Sequence, residues 1–347
     1  MHGIFQNGWY SRETIPEKLY RVSRYNRFLF ARIFEMVLNM SLGHEEVDSM
    51  KIGFIGAGKM GFTLGRHFTE YARNVSDEDK ASADKPVVMG YFSRNPESAK
   101  EAAEFTDTNY YTDLKDLVEV CDTIFVTVPD GQIAAMAQEL GRLDVSMEHK
   151  IICHTSGALS SQVFSGMDSH VYGYSVHPIY AVNSKTESYI NFSDCFITIE
   201  GHERYLNDMV EFFRTMGHSV KTISADDKAK YHGAAVFSSN LVIGLYHMAT
   251  KLLVQCGFDE SEAEQALKPL FKNNADNLYS SDCFSALTGP VARCDIGTVE
   301  KHLSVLSREE ALVYGILSRE LIEIVSGRNE YNYDELSELI KKNSSVI

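Results

Sequence analysis

The stretch that decides the fold is Lys51-Ile-Gly-Phe-Ile-Gly-Ala-Gly-Lys-Met-Gly61. A short apolar strand leads directly into Gly56-x-Gly58-x-x-Gly61, and a helix-like segment follows. Gly56 allows the tight bend, Gly58 lets the backbone approach a pyrophosphate, and Gly61 lets the helix pack on the strand. This context predicts a dinucleotide-binding loop in preference to a plain tight turn. The predicted cofactor-binding residues of the loop are Gly56, Ala57, Gly58, Lys59, Met60 and Gly61.

Downstream of the loop, short and nearly continuous apolar runs alternate with helical patterns. The predicted strands are 51–55, 87–92, 123–128, 150–154, 171–176, 195–200 and 219–223. The predicted helices between them are 62–71, 99–105, 114–120, 132–140 and 203–216. Strands of this kind are typical of a sheet that is covered on both faces. The sequence therefore predicts an α/β fold with a doubly wound, mostly parallel Rossmann sheet over residues 50–224.

After about residue 225 the strand patterns stop, which predicts an all-α C-terminal domain over residues 225–347. Its predicted helices are 227–257, 261–278, 296–306 and 308–327. The segment 231–250 contains no Asp, Glu, Lys or Arg, so we expect its helix to be buried all round. Its polar side chains, His232 and Asn240 among them, then serve either structural hydrogen bonding or an active-site cleft.

The first 49 residues differ from the rest of the chain. They carry five arginines among aromatic residues, but no apolar region and cleavage site of a signal peptide. The glycine-rich strand begins immediately after Met50, and Glu45-Glu46-Val47 could be encoded by a purine-rich ribosome-binding sequence. We therefore expect Met50 to be the true start and residues 1–49 to be a translated leader or a disordered extension. An organellar targeting segment is the alternative.

Composition narrows the classes of partner. The formal net charge is −15 at pH 7, and an acidic surface does not attract nucleic acid or an anionic membrane. The six cysteines are scattered and form no C-x-x-C pair, which fits free thiols in a reducing cytoplasm better than disulfides or a zinc site. No run of about 18 uninterrupted apolar residues predicts a transmembrane helix. We expect a cytoplasmic protein with a small-molecule substrate and no metal.

The end of the second predicted strand distinguishes between the two nicotinamide dinucleotides. An NAD enzyme usually places Asp or Glu there for the ribose 2′-hydroxyl, whereas this chain has Ser93 and Arg94. A serine hydroxyl and a guanidinium suit a 2′-phosphate, which a carboxylate would repel. The sequence therefore favours NADP, although Arg94 could instead be a solvated loop residue. The long spacing from the glycines is explained by a polar insertion around residues 77–85.

Three further strand ends lie on the edge where open α/β sheets bind ligands. Val128 and Pro129 end the third predicted strand and would pass beneath the cofactor. Ser156 follows the next strand and is a candidate hydrogen-bond partner for a substrate. His177 precedes a proline, and histidine is the commonest proton donor in such chemistry. It is either a catalytic or substrate-orienting residue or a structural turn histidine.

A loop between two predicted helices, Thr288-Gly-Pro-Val-Ala-Arg293-Cys-Asp295-Ile-Gly-Thr298, carries two more candidates. Asp295 could cap the following helix. Arg293 could bind a substrate carboxylate through two parallel hydrogen bonds. Both interpretations stay open from the sequence.

Together these stretches resemble a family of Rossmann-like proteins that carry a C-terminal domain of unknown function 2520. The matching segments are 52–61, 175–178, 231–240 and 287–295, with Thr298 and His302. The family is similar to pyrroline-5-carboxylate reductase, ketopantoate reductase and the deazaflavin-dependent NADP oxidoreductases. The resemblance implies an NADP-binding domain, a helical substrate and dimerisation domain that forms a homodimer, and a cleft between the two domains.

The resemblance also bears on the acid that donates the proton. Relatives in this superfamily place a lysine four residues before an asparagine, but Val236 has that position relative to Asn240 here. His232 could substitute for the lysine if it faces the cleft. Ser175-Val-His177-Pro178 looks like the His-Pro turn of prephenate dehydrogenase, which favours His177.

The sequence thus predicts an NADP-dependent oxidoreductase that transfers a hydride to or from a small, carboxylate-bearing carbonyl or imine. The predicted catalytic and substrate-binding residues are His177, Asn240, His232, Ser156 and Arg293. A dinucleotide-binding sensor or regulatory protein without turnover is the alternative, because the lysine of the relatives is missing.

Overall fold

A computed structural model describes residues 49–74, 85–327 and 331–343. The predicted leader lies outside the described residues except for Ser49, and the polar insertion lies outside them except for Lys85. The chain divides into two compact units, Met1–His232 and Gly233–Ile347. The domain limits expected from the sequence, 50–224 and 225–347, stay a prediction.

One eight-stranded sheet organises the described part of the first unit. Its strands are β1 (Ser49–Ile55), β2 (Lys85–Phe92), β3 (Asn109–Tyr111), β4 (Thr123–Val126), β5 (Ile151–His154), β6 (Tyr172–Ile179), β7 (Phe196–Gly201) and β8 (Ser219–Thr222). The strand order is β3-β2-β1-β4-β5-β6-β7-β8, and neighbours are parallel except for β6 and β7. The predicted doubly wound, mostly parallel sheet is confirmed.

Helices and buried apolar side chains cover both faces of this sheet. The helices are α1 (Lys59–Asn74), α2 (Pro96–Thr106), α3 (Leu114–Val120), α4 (Asp130–Leu140) and α5 (Leu206–Thr215). Successive side chains of a strand point to opposite faces, so Phe54 and Ile55 enter two different hydrophobic clusters. Because each face needs apolar residues, the strands read as continuous apolar runs rather than alternating ones.

Two features of the sheet differ from the sequence-based expectation. Strand β3 was not predicted, because its three residues are polar or aromatic and largely exposed. Strand β6 continues through His177 and Pro178 to Ile179, where the sequence suggested a turn. Its pairing with β5 ends at Ser175, but its pairing with β7 continues to Ile179. Pro178 therefore lies where β6 has a neighbour on one side only, a position that tolerates proline.

The second unit is helical in its described residues, as predicted. Helix α6 (Lys228–Ser238) spans the division between the units; the others are α7 (Asn240–Gln255), α8 (Glu260–Ser280), α9 (Cys283–Ala286), α10 (Ile296–Val305), α11 (Arg308–Ser326) and α12 (Asp334–Asn343). Capping boxes begin α8 at Asp259 and α11 at Ser307. Val299, Val325 and Leu336 contribute to the hydrophobic core of this unit.

The expectation of one continuous helix over 227–257 is wrong. Ser239 separates α6 from α7 with φ −129° and ψ −82°, outside the helical region. Its hydroxyl donates to the carbonyl oxygen of Ala235 at 2.6 Å. Serine side chains compete for backbone groups in this way, which is why a run of serines weakens a helix that is otherwise apolar.

The expectation that segment 231–250 is buried all round is also wrong for this chain. Thr250 is the one buried residue of α7, and Ala263 is the one buried residue of α8. Phe237 is 72% exposed and Ile243 is 70% exposed. Helix α6, which carries Phe237, and helix α7, which carries Ile243, therefore leave apolar side chains open to solvent. None of the helices in the described ranges is long and apolar enough to span a membrane.

Candidate active site

The glycine-rich turn lies where β1 is held between β2 and β4. The Gly56 N–H donates to the carbonyl oxygen of Phe92 at 2.8 Å, and the Thr127 N–H donates to that of Ile55 at 2.8 Å. The Thr127 hydroxyl also donates to the carbonyl oxygen of Gly56 at 2.8 Å. Gly56 has a φ of +109°, which residues with a Cβ rarely adopt. The strand thus ends at the switch point of the sheet in a turn that needs glycine.

The space that a Cβ would find at each of the three glycines differs, and it indicates a different role for each. A Cβ at Gly56 would lie 2.9 Å from the Thr127 backbone, and one at Gly61 would lie 2.5 Å from the Gly56 oxygen. The protein itself therefore excludes side chains at both positions. A Cβ at Gly58 would have one neighbour within 4 Å, the Thr127 oxygen at 3.9 Å. The open space in front of Gly58 fits a group supplied from outside, as the close approach of a pyrophosphate requires.

The other predicted cofactor-binding residues follow β1, β2 and β4 at the same edge of the sheet. Ala57 is buried, while Lys59 and Met60 begin α1 with no acidic residue in its first turn. Ser93 and Arg94 follow β2, and Nη2 of Arg94 donates to Oε1 of Gln132 at 2.6 Å. Val128 and Pro129 follow β4 and are half-buried and exposed respectively. The start of α1 and Arg94 therefore follow two neighbouring parallel strands and lie at the same edge of the sheet.

A buried lysine connects β5 and β6 at the same edge of the sheet. Lys228, the first residue of α6, is 2% exposed. Its Nζ donates to the carbonyl oxygen of Ser156 at 2.9 Å and to Oγ of Ser175 at 2.6 Å. Burial lowers the pKa of this amine to about 8, while the carboxylates of Glu200 and Asp130 act in the opposite direction. The side chain is therefore still mostly a cation at pH 7.

The hydroxyl of Ser156 already has hydrogen-bond partners both as a donor and as an acceptor. This hydroxyl donates to Oδ2 of Asp130 at 2.6 Å and accepts the N–H groups of Ala158 at 3.2 Å and Leu159 at 3.0 Å. It thereby holds the turn after β5 and links it to the first residue of α4. The expected hydrogen bond from Ser156 to a substrate stays a prediction, and it would require the bond to Asp130 to break.

His177 is the centre of a second set of contacts. Its Nδ1 lies 2.6 Å from the hydroxyl of Tyr231, which lies 2.8 Å from Oγ1 of Thr198. The ring centroids of His177 and His232 are 6.0 Å apart. A Cβ at Gly157 would lie 2.8 Å from Nε2 of His177 and 2.5 Å from Cδ2 of His232. The structure thus brings both candidate histidines to the Gly157 backbone.

The environment of the histidines sets their charge. Burial lowers the pKa of His177 to about 4, and the positive charge of Lys228 adds to this effect. His154 also has a pKa of about 4 because of burial, but its two nitrogens contact the Ser156 N–H at 3.2 Å and the Ser160 oxygen at 3.1 Å. His154 is therefore a structural residue. His177 is neutral at pH 7, with Nε2 unpaired among the described residues.

Sequence reasoning missed three of these residues: Lys228, Tyr231 as a partner of His177, and Thr198. A signal for the first two was present, because Lys228, Tyr231 and His232 stand at i, i+3 and i+4 on α6 and so share one face. The sequence around Thr198 does not indicate a contact with Tyr231. Thr198 meets Tyr231 because β6 pairs with β7, with His177 opposite Thr198.

The remaining candidates, Asn240 and Arg293, belong to the second unit. Asn240 is exposed at the first position of α7, and its Oδ1 lies 3.1 Å from the Ser239 hydroxyl oxygen. Arg293 is exposed in the loop before α10. The capping interpretation of Asp295 is confirmed, since its carboxylate accepts from the N–H of Thr298 at 3.0 Å and from its hydroxyl at 2.8 Å. Roles of Asn240 and Arg293 toward a substrate stay predictions.

Two family models match successive parts of the chain, and the second match begins before β7, within the first unit. Residues 51–156 match the family described as NADP oxidoreductase, coenzyme F420-dependent. Residues 195–321 match domain of unknown function 2520. These two matches confirm the resemblance to Rossmann-like proteins that carry this C-terminal domain. No curated protein matches the chain significantly.

Solved structures share the architecture. Protein TM1727 from Thermotoga maritima is 25% identical, with 80% of this chain and 100% of that chain covered and a TM-score of 0.59. Protein BF3122 from Bacteroides fragilis, named as a candidate NADP oxidoreductase, is 22% identical, with the same coverage and a TM-score of 0.59. A 1-pyrroline-5-carboxylate reductase from Streptococcus pyogenes is 16% identical over 86% of this chain and 100% of its own, with a TM-score of 0.49. The structures of TM1727 and BF3122 support the fold described above for this chain.

Proposed function

We propose that the protein is an NADP-dependent oxidoreductase that transfers a hydride to or from a small, carboxylate-bearing carbonyl or imine. The observation that carries the proposal is the glycine-rich turn at the switch point of the sheet, with its open space in front of Gly58. The match of residues 51–156 to NADP oxidoreductases supports the same conclusion. The bound nicotinamide would supply the hydride chemistry, and the residues of this chain would bind, orient and protonate the substrate.

The preference for NADP rests on Ser93 and Arg94. Arg94 is exposed, and its guanidinium donates to a neutral amide, that of Gln132, so it keeps further donors for a 2′-phosphate.

We therefore expect Arg94→Ala to weaken NADPH binding about 10- to 100-fold and to leave NADH binding nearly unchanged. A charge-assisted hydrogen bond contributes about 1.5–3 kcal/mol, and NADH has no phosphate for Arg94 to bind. Fluorescence titration of both cofactors measures the effect. Arg142→Ala is the control, because that exposed arginine lies beyond the end of α4. Equal losses for NADPH and NADH would contradict the proposed contact.

His177 is the proposed proton donor beside the reacting carbon. It is neutral, and its Nε2 is the ring nitrogen that Tyr231 leaves unbound. His232 also lies against the Gly157 backbone and is the second candidate for the proton donor. Asn240 is proposed to orient the reacting oxygen or nitrogen. Arg293 is proposed to bind the substrate carboxylate, since guanidinium and carboxylate match in geometry.

Turnover tests the function. A panel of 2-oxo acids, cyclic imines and hydroxy acids is offered with NADPH or NADP, and we expect at least one to change the nicotinamide absorbance at 1:1 stoichiometry with product. Tight NADPH binding with no turnover on the whole panel would favour a dinucleotide-binding sensor. Full turnover by His177→Ala would refute the proton-donor role.

A homodimer through the helical unit is also part of the proposal. Eleven of the 21 exposed large hydrophobic residues in the described ranges fall between Phe237 and Phe284. Patches of this kind mark interaction surfaces in water-exposed proteins. A second copy of the chain would cover the α7 and α8 surfaces and so bury the segment that the sequence expected to be buried. The cytoplasmic location stays a prediction.

We expect Ile243→Glu to convert the dimer to a monomer. A stable interface covers about 800 Å² per partner, and an unpaired carboxylate within it costs several kcal/mol. Sedimentation velocity measures the change. Val305→Glu introduces the same charge at a residue that is 79% exposed at the end of α10, and it should leave the dimer intact. A monomeric native chain, or an unaffected Ile243→Glu variant, would refute this interface.

A further inference from the structure

Three groups, Thr198, Tyr231 and His177, form a short hydrogen-bonded chain in the first unit. Oγ1 of Thr198 lies 2.8 Å from the Tyr231 hydroxyl and 3.3 Å from the carbonyl oxygen of His177. The Tyr231 hydroxyl lies 2.6 Å from Nδ1 of His177. Thr198 therefore has two acceptors within reach, and Tyr231 has a partner on each side.

The charge states of these groups limit how many protons they share. Burial raises the pKa of Tyr231 above its ordinary value and lowers the pKa of His177 to about 4. Both are neutral at pH 7, so the imidazole carries one proton, on either Nδ1 or Nε2. Thr198 is 3% exposed, so its hydroxyl depends on these partners rather than on bulk water.

Two arrangements satisfy every group in the chain. In the first, Thr198 donates to Tyr231, Tyr231 donates to Nδ1, and the His177 proton sits on Nε2. In the second, Nδ1–H donates to the Tyr231 oxygen, Tyr231 donates to Thr198, and Thr198 donates to the His177 carbonyl oxygen. The unbound Nε2 is a proton donor in the first arrangement and an acceptor in the second.

We propose that Thr198 and Tyr231 are positioning residues that hold His177 in either tautomer, so that Nε2 can give a proton during reduction and take one during oxidation. The proposal rests on the function proposed above. In this proposal neither Thr198 nor Tyr231 contacts the substrate.

The proton balance follows from the same contacts. As Nε2 gives its proton to the substrate oxygen or nitrogen, Nδ1 takes the proton of Tyr231, so the imidazole stays neutral and the Tyr231 oxygen becomes a tyrosinate for that step. The Tyr231 oxygen then accepts from Nδ1–H and from Thr198, and the Lys228 cation lies 5.7 Å from the tyrosine ring. A proton from water returns to Tyr231 after the product leaves, which gives the second arrangement. Oxidation runs through the same states in reverse.

The test observes the tautomer directly in the full-length, histidine-¹⁵N-labelled protein at pH 7. The ring nitrogen shifts of His177 are assigned by their absence in His177→Gln. We expect the wild type to populate both tautomers. In Tyr231→Phe, an Nδ1–H would have no acceptor, and in Thr198→Val, the Tyr231 hydroxyl would have no acceptor in the second arrangement. Both variants should shift His177 to the Nε2–H tautomer.

Tyr246→Phe is the matched control, because it removes a tyrosine hydroxyl that bonds to the Glu264 carbonyl in the helical unit. It should leave the His177 shifts unchanged. A wild type in a single tautomer, or variants with wild-type shifts, would overturn the proposal. This readout needs no substrate, so it stands apart from the outcome of the turnover test. With a substrate, Tyr231→Phe should lower kcat about 100-fold in both directions at unchanged NADPH affinity; an unchanged kcat would also overturn it.

Discussion

Replacement of Gly58 by alanine is expected to weaken NADPH binding by roughly 30-fold or more and to leave the unfolding temperature almost unchanged. The new Cβ would meet one protein atom within 4 Å, the Thr127 oxygen at 3.9 Å, and Gly58 has no positive φ that requires glycine. Its only serious clash would be with the bound pyrophosphate. A methyl group forced into a tight contact costs about 2 kcal/mol, which corresponds to this loss.

The neighbouring glycines provide the contrast. Gly56→Ala places a Cβ 2.9 Å from the Thr127 backbone at a φ of +109°, and Gly61→Ala places one 2.5 Å from the Gly56 oxygen. Both variants should lower the unfolding temperature as well as the affinity. Calorimetry and NADPH titration on the three variants separate the two effects. Wild-type affinity in a folded Gly58→Ala protein would mean that no pyrophosphate approaches this turn.

Replacement of Lys228 by methionine is expected to remove a large part of the pH dependence of stability. The pKa of Lys228 is about 8 in the folded chain against 10.5 as the ordinary value. Between these values the unfolded chain holds one more proton, so the stability contributed by this group rises as the pH increases. From pH 7 to pH 10 the wild type should gain about 2.5 kcal/mol relative to Lys228→Met. Urea unfolding at a series of pH values measures the difference.

Lys230→Met is the control for this prediction. Lys230 lies two residues further along α6 and is exposed, so its loss should leave the pH dependence of the free energy of unfolding unchanged. The histidines that feel the charge of Lys228 have pKa values of about 4, below the range from pH 7 to pH 10, so other titrations cancel in the comparison. Parallel curves for the wild type and Lys228→Met would show that the buried amine keeps its ordinary pKa.

The order of elements in the first unit could be predicted because each rests on local chemistry. The apolar runs around residues 52–55, 123–126 and 151–154 are long enough to form buried strands wherever they pair. Strand β3 and the extension of β6 could not be predicted, because Asn109–Tyr111 and His177–Ile179 become strands only through the neighbours they pair with. Helix α7 shows the opposite case: its apolar pattern predicted burial that the single chain does not provide.

The candidate site divides in the same way. The glycines were recognisable because a turn that needs a positive φ or a close backbone approach restricts the residue types locally. Ser156 and His177 were found because they follow predicted strands, but their partners were not. Lys228 lies 72 residues from Ser156 in sequence, and Tyr231 lies 54 residues from His177.

The sequence by itself determined the glycine-rich turn after β1, the acid-free end of β2 and the change from strands to helices, because backbone conformation and side-chain periodicity are properties of short segments. The tertiary structure alone decided which hydroxyls Lys228 and His177 contact and how far burial lowers their pKa values. Those properties depend on distances between β5, β6, β7 and α6, and on the water that their packing removes. No single one of these segments determines the distances to the others or the amount of water that their packing excludes.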